Sequence, residues 1–392
     1  MVFCHVPTNL KMISNRLSSF LLSAVLLLFY LGGAAQELTF SGQASLLHVS
    51  KFSDPYQMVN GLRYIPELKG SMPLSHSLVL EGELSANGWL NSYFIAPDSL
   101  GFDGSIKPYR MWGRLSGDRF DVRLGLQKIN FGSATMLRPL MWFDRLDPRD
   151  PLQLTDGVYG ALVKYFFPNN ANIWLWGLLG NGETKGWELI PGMKWIPEAG
   201  FRIQHPAGPG EVALSGHFRQ IDPQRSMPPF TGNPAMPEYR IGLDGKWDLG
   251  AGLWFEGCWT WTDLQPDLMN HTRAMTLGAD YTWGIGNGLT SAFEQFLYST
   301  AAQPWESGVA EHFSALMLNY PVNLIHSVSG MLYFHWRDRS WYRFLSWQMR
   351  FDHLSLNLIG FWNPNTFEIF RTTGNSDFLA GKGLQIVLIY HH

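Results

Sequence analysis

The chain contains very little cysteine: Cys4 and Cys258 are the only two among 392 residues. Cys4 precedes the predicted signal-peptide cleavage site, so the processed chain keeps Cys258 alone. A single cysteine cannot form an intramolecular disulfide, which excludes a small secreted domain held together by such bonds. Cys258 is therefore expected to pack as a small side chain.

Charged residues and long apolar runs are also scarce. Charged residues make up 16% of the chain, and after residue 35 no apolar run approaches the roughly 20 residues of a membrane-spanning helix. A mean hydropathy of −0.07 also argues against a helical membrane bundle. Removing residues 1–35 leaves 27 basic against 32 acidic residues, a net charge of −5. Such a mildly acidic chain lacks the basic surface that binds nucleic acid.

The usual catalytic motifs are missing. The sequence has no G-x-S-x-G or H-E-x-x-H motif and no paired cysteines for a metal. The glycine-rich stretch from Gly284 to Gly288 falls in a predicted hairpin turn rather than between a strand and a helix, so it is not read as a phosphate loop. We therefore predict no catalytic residue, metal or cofactor. A lipid-acting barrel enzyme with a Ser/His pair on its outer face stays open as an alternative.

The N-terminus is typical of a secretory signal peptide. Lys11 and Arg16 precede the apolar run from Phe20 to Leu31, and the small residues up to Ala35 suit a cleavage site. We predict a signal peptide over residues 1–35, with either Met1 or Met12 as its start. The apolar run is too short to favour a membrane anchor, so export is expected.

Two-residue alternation is the dominant pattern in the rest of the chain. Residues 119–127 read R-F-D-V-R-L-G-L-Q, and similar segments recur from Leu38 onward. This period fits a β-strand with one apolar face and not a 3.6-residue helix. Aromatic residues reach 15% with 17 tryptophans, and a soluble sandwich or propeller would need a further layer to cover them. Because only alternate residues face lipid, a transmembrane barrel explains both the aromatics and the low mean hydropathy.

The connections between these strands indicate how the barrel is built. Predicted short turns, such as 69–71, 117–118 and 352–353, alternate with longer connections near 95–105, 131–156 and 363–379. Short turns on one rim and long loops on the other are typical of bacterial outer-membrane barrels. We predict an all-β fold for residues 36–392, an antiparallel β-barrel of about 18 strands (16 to 18) in the Gram-negative outer membrane. Both termini are expected on the short-turn, periplasmic rim.

The connection at 131–156 is long enough to be functional. It combines apolar residues, such as Trp142 and Phe143, with charges of both signs. If it folds into the lumen, its charges would narrow the pore and select solutes. The predicted constriction consists of Arg138, Asp144, Arg145, Asp147, Arg149 and Asp150.

Four arginines share the polar faces of two neighbouring predicted strands. We predict that they form a basic lumen wall that favours anionic solutes. Glu81 and Glu83 lie on the preceding strand, so structural ion pairing and direct solute contact both remain open for these side chains. The predicted wall consists of Arg110, Arg114, Arg119 and Arg123.

Two segments resemble a known family. The run R-L-G-L-Q-K-I-N-F-G from Arg123 to Gly132, with F-D-R-L-D-P-R-D from Phe143 to Asp150, is similar to the motif pair of alginate-export-type and related Gram-negative outer-membrane porins. Over these 30 or so residues the resemblance implies a porin of roughly 18 strands, for an oligosaccharide or a polyanion.

The expected function is passive, moderately selective diffusion of small polar or anionic solutes, including oligosaccharides. Expected partners are outer-membrane lipid, lipopolysaccharide and the barrel-assembly machinery. The last strand suits that machinery through Leu384, Ile386, Leu388 and Tyr390, although the chain ends in His392 rather than an apolar aromatic residue. The alternative is a closed barrel that binds or assembles surface polysaccharide, favoured by aromatic residues of the longer loops such as Trp305 and Phe367.

Overall fold

The computed structural model of the protein describes residues 37–52, 54–95, 97, 99–226, 235–263, 269–365 and 379–392. The predicted signal peptide and Phe367 lie outside these ranges. The described residues form eighteen β-strands and one short α-helix, α1 (Pro223–Ser226). The strands are β1 (Glu37–Lys51), β2 (Gln57–Pro73), β3 (Val79–Ile95), β4 (Ser99–Ser116), β5 (Phe120–Gln127), β6 (Val158–Phe166), β7 (Asn172–Leu178), β8 (Glu198–Ala207), β9 (Gly210–Ile221), β10 (Met236–Asp248), β11 (Gly252–Thr262), β12 (His271–Trp283), β13 (Leu289–Ala301), β14 (Val309–Pro321), β15 (His326–His335), β16 (Ser340–Arg350), β17 (Leu354–Trp362) and β18 (Lys382–His391).

These strands close into a single barrel. Each strand pairs antiparallel with its neighbours in the sequence, and β1 pairs with both β2 and β18. The closing pair places Leu46 opposite Leu388. Closure removes the two free outer strands of an open sheet, which is a condition for strands to cross a lipid bilayer, and β4 extends past β5, with which it pairs only over residues 111–116. The predicted fold and the predicted number of strands are confirmed.

The two rims differ as the sequence indicates. One rim carries short turns, such as 117–119, 208–209 and 351–353, whereas the other carries the connections 128–157, 179–197 and 302–308. The start of β1 and the end of β18 lie on the short-turn rim, because Glu37 pairs with Ser71 near the end of β2 and β18 ends beside the turn at 351–353.

Two predicted connections were wrong. Residues 69–71 lie within β2, where Gly70 pairs with Leu38 on one side and Gly82 on the other, and the turn follows at 74–78. Residues 99–105 belong to β4 rather than to a long loop. Glycine and small polar residues mark turns by composition, but here cross-strand hydrogen bonding on both sides keeps them extended.

Side-chain alternation divides an apolar outside from a polar and aromatic inside. On β10, Tyr239, Ile241 and Leu243 are 41–49% exposed, whereas Arg240 and Asp244 are 4% and 3% exposed. The outward apolar band is the surface that a lipid bilayer covers in an outer-membrane barrel. No helix in the described ranges is long and apolar enough to cross a membrane. The closed sheet and its outward apolar band make the protein a multi-pass β-barrel of the outer-membrane type.

Candidate functional site

The connection between β5 and β6, residues 128–157, lies inside the barrel. Its side chains include some of the most buried in the protein, with Leu137 at 0%, Met136 at 1% and Leu140 at 2% exposure. Met136 and Leu137 pack against inward aromatic residues such as Trp254 and Phe296. An apolar segment that packs on the inner wall holds the connection across the lumen rather than in water. We call residues 128–157 the lumen loop.

A carboxylate on β13 holds the first half of the lumen loop. Glu294 is fully buried and accepts the backbone N–H groups of Thr135 (2.7 Å), Met136 (3.0 Å) and Leu137 (2.6 Å). It also accepts the indole N–H of Trp254 at 3.1 Å. Hydrogen bonds to an ionised acceptor are about twice as strong as neutral ones, so Glu294 fixes the loop backbone at this position.

A second buried carboxylate, Glu256 on β11, holds the next part of the loop. It accepts the backbone N–H groups of Ala134 at 2.9 Å and Leu140 at 2.5 Å. The hydroxyl of Thr276 on β12 donates to the carbonyl of Leu137. Three neighbouring strands therefore fasten residues 134–140 to one side of the lumen.

An aromatic cluster fixes the middle of the lumen loop. The rings of Phe131 and Trp142 meet edge to face at 5.5 Å, and Phe143 meets Trp176 of β7 at 5.4 Å. The indole N–H of Trp142 lies 3.3 Å from the sulfur of Cys258. Cys258 therefore packs against Trp142, which agrees with the expectation that it packs as a small side chain.

Arg138 and Asp144, two of the predicted constriction residues, are buried at 5% and 2% exposure. Their side chains form an ion pair at 3.4 Å, and Arg138 also donates to the carbonyl of Phe131 at 3.2 Å. Arg145 donates to Thr184 in the connection 179–197. These contacts stabilise the loop, and the first two charges face each other rather than the lumen.

The remaining three predicted constriction residues lie farther along the loop. Arg149 pairs with Asp147 at 2.5 Å, and its guanidinium lies 5.5 Å from the Phe344 ring of β16. Asp150 accepts the backbone N–H of Leu152 at 2.9 Å. Burial raises the pKa of the Asp150 carboxyl above its ordinary 3.8, an effect that this backbone hydrogen bond opposes. This part of the loop therefore carries the charges that lie nearest the wall of β14–β17.

The four predicted wall arginines have different environments. Arg114 pairs with Asp121 at 2.8 Å and with Glu81 at 3.3 Å. Arg123 lies opposite Arg114 in the sheet, with its guanidinium 4.6 Å from the Trp112 ring centroid. Arg110 donates to the carbonyl of Thr155 at 2.9 Å and so holds the end of the lumen loop.

Arg119 lies apart from the other three wall arginines. It is exposed in the turn at 117–119, before β5 begins. The structure therefore groups Arg110, Arg114 and Arg123 on the inner wall and leaves Arg119 at the rim, because β5 begins at Phe120, one residue later than the alternation suggests.

The sequence indicates a connection near residues 180–192 but not that the loop 179–197 lies inside the barrel. Trp187 stacks on Phe296 with centroids 4.7 Å apart and donates its indole N–H to the carbonyl of Arg138 at 2.8 Å. Glu188 pairs with Arg219 at 2.9 Å and Arg240 at 2.6 Å. Alternation places Arg219 and Arg240 on the inner face but gives no information about a partner from a distant loop.

Another buried ion pair crosses three strands nearby. Arg202 of β8 meets Asp244 of β10 at 2.6 Å and 2.9 Å, and it also donates to Ser215 of the strand between them at 3.1 Å. The inner wall of β8–β10 is thus a paired polar surface that supports both loops.

Comparison with known proteins identifies the fold but no family. No family model and no curated protein matches the chain. Solved structures do match over almost the whole barrel. OccK7 (OpdD) of Pseudomonas aeruginosa is 11% identical, with a TM-score of 0.56 over 92% of this chain and 99% of that chain. OccAB1 of Acinetobacter baumannii is 9% identical, with a TM-score of 0.52 over 91% of this chain and 95% of that chain.

The anion-selective porin from Comamonas acidovorans is also similar, at 16% identity and a TM-score of 0.47 over 91% of this chain and 100% of that chain. At such identities a structural match shows the fold alone. The resemblance to alginate-export-type porins accordingly stays a prediction. The chain has the closed antiparallel barrel fold of Gram-negative outer-membrane porins.

Proposed function

We propose that the protein is an outer-membrane channel for passive, moderately selective diffusion of small polar or anionic solutes. The observation that carries the proposal is the lumen loop, which Glu256 and Glu294 hold inside a closed barrel rather than outside it. A loop fixed across a lumen narrows the passage and places its side chains beside any solute that enters. Outer-membrane lipid, lipopolysaccharide and the assembly machinery are proposed as partners on the same basis.

The proposed constriction is the part of the lumen loop that carries Asp147, Arg149 and Asp150. Arg138 and Asp144 contribute indirectly, because their buried pair shapes the loop, and Arg145 ties it to residues 179–197. Of the two segments similar to alginate-export-type porins, the second, Phe143 to Asp150, contains all three proposed constriction residues, and the first reaches the start of the lumen loop. The two segments support an oligosaccharide or a polyanion as one class of solute.

A preference for anions is supported by β5 and β6. Arg123 makes no ion pair within the described residues, and Lys164 of β6 lies with its ammonium 3.5 Å from the Trp174 ring centroid. Arg114, in contrast, is balanced by Asp121 and Glu81. The excess positive charge on this wall therefore comes mainly from Arg123 and Lys164, and such a field attracts anions.

The experiment is single-channel recording of the folded barrel in a planar bilayer under a salt gradient. Discrete conductance steps with a reversal potential that favours anions are expected. Replacing Arg123 and Lys164 together by glutamine should move the reversal potential toward cations, whereas the same change at the rim residue Arg119 should leave it nearly unchanged. An unchanged reversal potential in the double variant would contradict the assigned anion preference.

A closed barrel for surface-polysaccharide binding or assembly is the second candidate. The specific observation in its favour is the buried apolar cluster inside the lumen, where Met136 and Leu137 meet residues such as Phe296 and Tyr333. A barrel packed in this way could be plugged rather than open. Absence of current from a folded, heat-modifiable barrel would make this candidate the leading one, and polysaccharide binding would then be measured directly.

A further inference from the structure

A cavity of about 400 Å³ lies between residues 148–153 of the lumen loop and the inner wall of β14–β17. This volume falls in the range of roughly 300–1,000 Å³ that is usual for small-molecule sites. The cavity lies against the β14–β17 wall, which is on the other side of the barrel from the predicted basic residues of β4 and β5. It is therefore a candidate contact site for solutes that is separate from the arginine wall.

Uncharged polar side chains dominate the strand side of the cavity. They are hydroxyl and carboxamide groups from four neighbouring strands: Asn319, Ser327, Ser329, Ser346, Gln348 and Asn357. Groups of this kind both donate and accept hydrogen bonds without a net charge. Such a lining matches a solute with many hydroxyl groups better than it matches an ion.

The charged residues around the cavity have partners or contacts of their own. Arg149 pairs with Asp147 at 2.5 Å, Arg350 donates to Gln348 at 3.3 Å, and Asp150 accepts the backbone N–H of Leu152 at 2.9 Å. The charge of Arg149 is therefore directed at Asp147, whereas Arg350 is exposed and is held by the neutral carbonyl of Gln348. A neutral solute can use the amides and hydroxyls without breaking these contacts.

Asn357 provides the independent observation that points to a ligand. It is 2% exposed on β17 and lines the cavity, yet its amide nitrogen has no hydrogen-bond partner among the described residues. A buried polar group without a partner is costly, and buried amides are nearly always paired. Phe344 and Ile359 supply apolar surface beside it, which suits the C–H faces of a sugar ring.

We propose that this cavity is a subsite for a neutral polyhydroxyl solute, an uncharged sugar or polyol, with Asn357 as a hydrogen-bond donor and Gln348 as a further polar contact. The proposal rests on the proposed channel function and names a solute class and a contact site for it. The proposal assigns the contact with uncharged solutes to the wall of β14–β17 rather than to the arginine wall of β4 and β5.

The test is block of the single-channel current by maltose, compared with a polyethylene glycol of similar size. The wild-type barrel should be blocked more strongly by maltose. Asn357→Leu should weaken maltose block about five- to tenfold, as expected for the loss of one buried hydrogen bond. Asn357→Ala, which removes the whole carboxamide without adding bulk or charge, should give a similar loss if the leucine variant does not fold.

The matched control is Asn91→Leu, which changes an asparagine on β3 that lies outside the cavity and donates to Tyr93. It should leave maltose block unchanged. Equal block by maltose and polyethylene glycol in the wild type, or unchanged block in both Asn357 variants, would overturn the subsite.

A second measurement separates this proposal from the channel itself. If the folded barrel carries no current, the channel function fails, and equilibrium binding of radiolabelled maltose to the detergent-solubilised barrel then tests the subsite alone. Binding that is lost in Asn357→Ala supports the subsite in a closed barrel. Absence of binding to the wild type overturns it.

Discussion

The carboxylate of Glu294 accepts the backbone N–H of Leu137 at 2.6 Å, although the two residues are 157 positions apart in the sequence. Both residues are completely buried. The same carboxylate also binds the amides of Thr135 and Met136. One side chain on β13 thus orients three consecutive peptide groups of a loop that begins at β5.

Replacing Glu294 by glutamine should loosen the lumen loop. The amide keeps the side-chain volume but offers one acceptor oxygen instead of two. At least one of the three backbone N–H groups of residues 135–137 therefore loses its acceptor. We expect the free energy of unfolding to fall by about 2 kcal/mol, and open-channel current noise to rise. Glu211→Gln, at the short-turn end of β9, serves as the control in urea unfolding and in bilayer recordings. Identical noise in the Glu294 variant and the wild type would contradict this role.

The barrel could be predicted from local pattern, whereas the anchors of the lumen loop could not. Two-residue alternation fixes which side chains of β10 or β11 face inward, and the alternation of short and long connections gives the number of strands. Glu256 is recognisable as an inward residue on this basis. Its hydrogen bonds to Ala134 and Leu140, however, join segments 116 to 122 residues apart, and no local spacing encodes such a contact.

The charge pattern of the sequence likewise predicts which residues face inward but not which of them form ion pairs. Sequence order places Arg110, Arg114 and Arg123 on one surface but cannot distinguish an unpaired cation from one such as Arg114, which pairs with Asp121 and Glu81. The pairing depends on the register between β3, β4 and β5. The second interior loop was missed for a related reason, since its contacts with β9 and β10 come from Glu188, a single acidic residue in an irregular segment.

Gly132 is the position where the lumen loop least tolerates a side chain. Its φ is +102°, and a Cβ atom there would lie 2.4 Å from a carboxylate oxygen of Glu256. Gly132→Ala should therefore displace the Glu256 carboxylate and weaken its bonds to the loop, at a cost of about 1–3 kcal/mol. Thermal unfolding in detergent measures the effect. Gly177→Ala on β7 is the matched control because a Cβ atom there meets nothing within 4 Å, and a similar loss in both variants would contradict the assignment.

Glu188 should be essential for the position of the second interior loop. It pairs with two arginines whose side chains are only 4% exposed, Arg219 and Arg240. Glu188→Gln leaves that buried positive charge poorly compensated, which typically costs about 3–5 kcal/mol, although Glu238 also pairs with both arginines and reduces the loss. We expect faster trypsin cleavage at Lys185 and a lower unfolding midpoint.

The control for that prediction lies in the same loop. Glu183 pairs with Arg225, but both side chains are more than half exposed, and exposed pairs contribute only about 0–1 kcal/mol. Glu183→Gln should therefore leave the unfolding midpoint and the cleavage rate close to wild type. Equal effects of the two substitutions would show that the buried network does not hold the loop.

Asp150 should give the channel a pH-dependent selectivity. Burial raises its pKa above 3.8, and the nearby charge of Asp147 acts in the same direction, whereas the backbone amides of Leu152 and Leu154 and the charge of Arg63 oppose the rise. For an acid with a raised pKa the folded protein holds the proton more tightly, so its contribution to stability is greatest at low pH and is lost as pH rises through the raised pKa.

Lowering the pH from neutral should neutralise Asp150 before exposed aspartates and shift the reversal potential toward anions. Asp150→Asn should lack that part of the shift, whereas Asp118→Asn, in an exposed turn, should retain it. A reversal potential with the same pH dependence in the Asp150 variant and the wild type would remove Asp150 from the constriction.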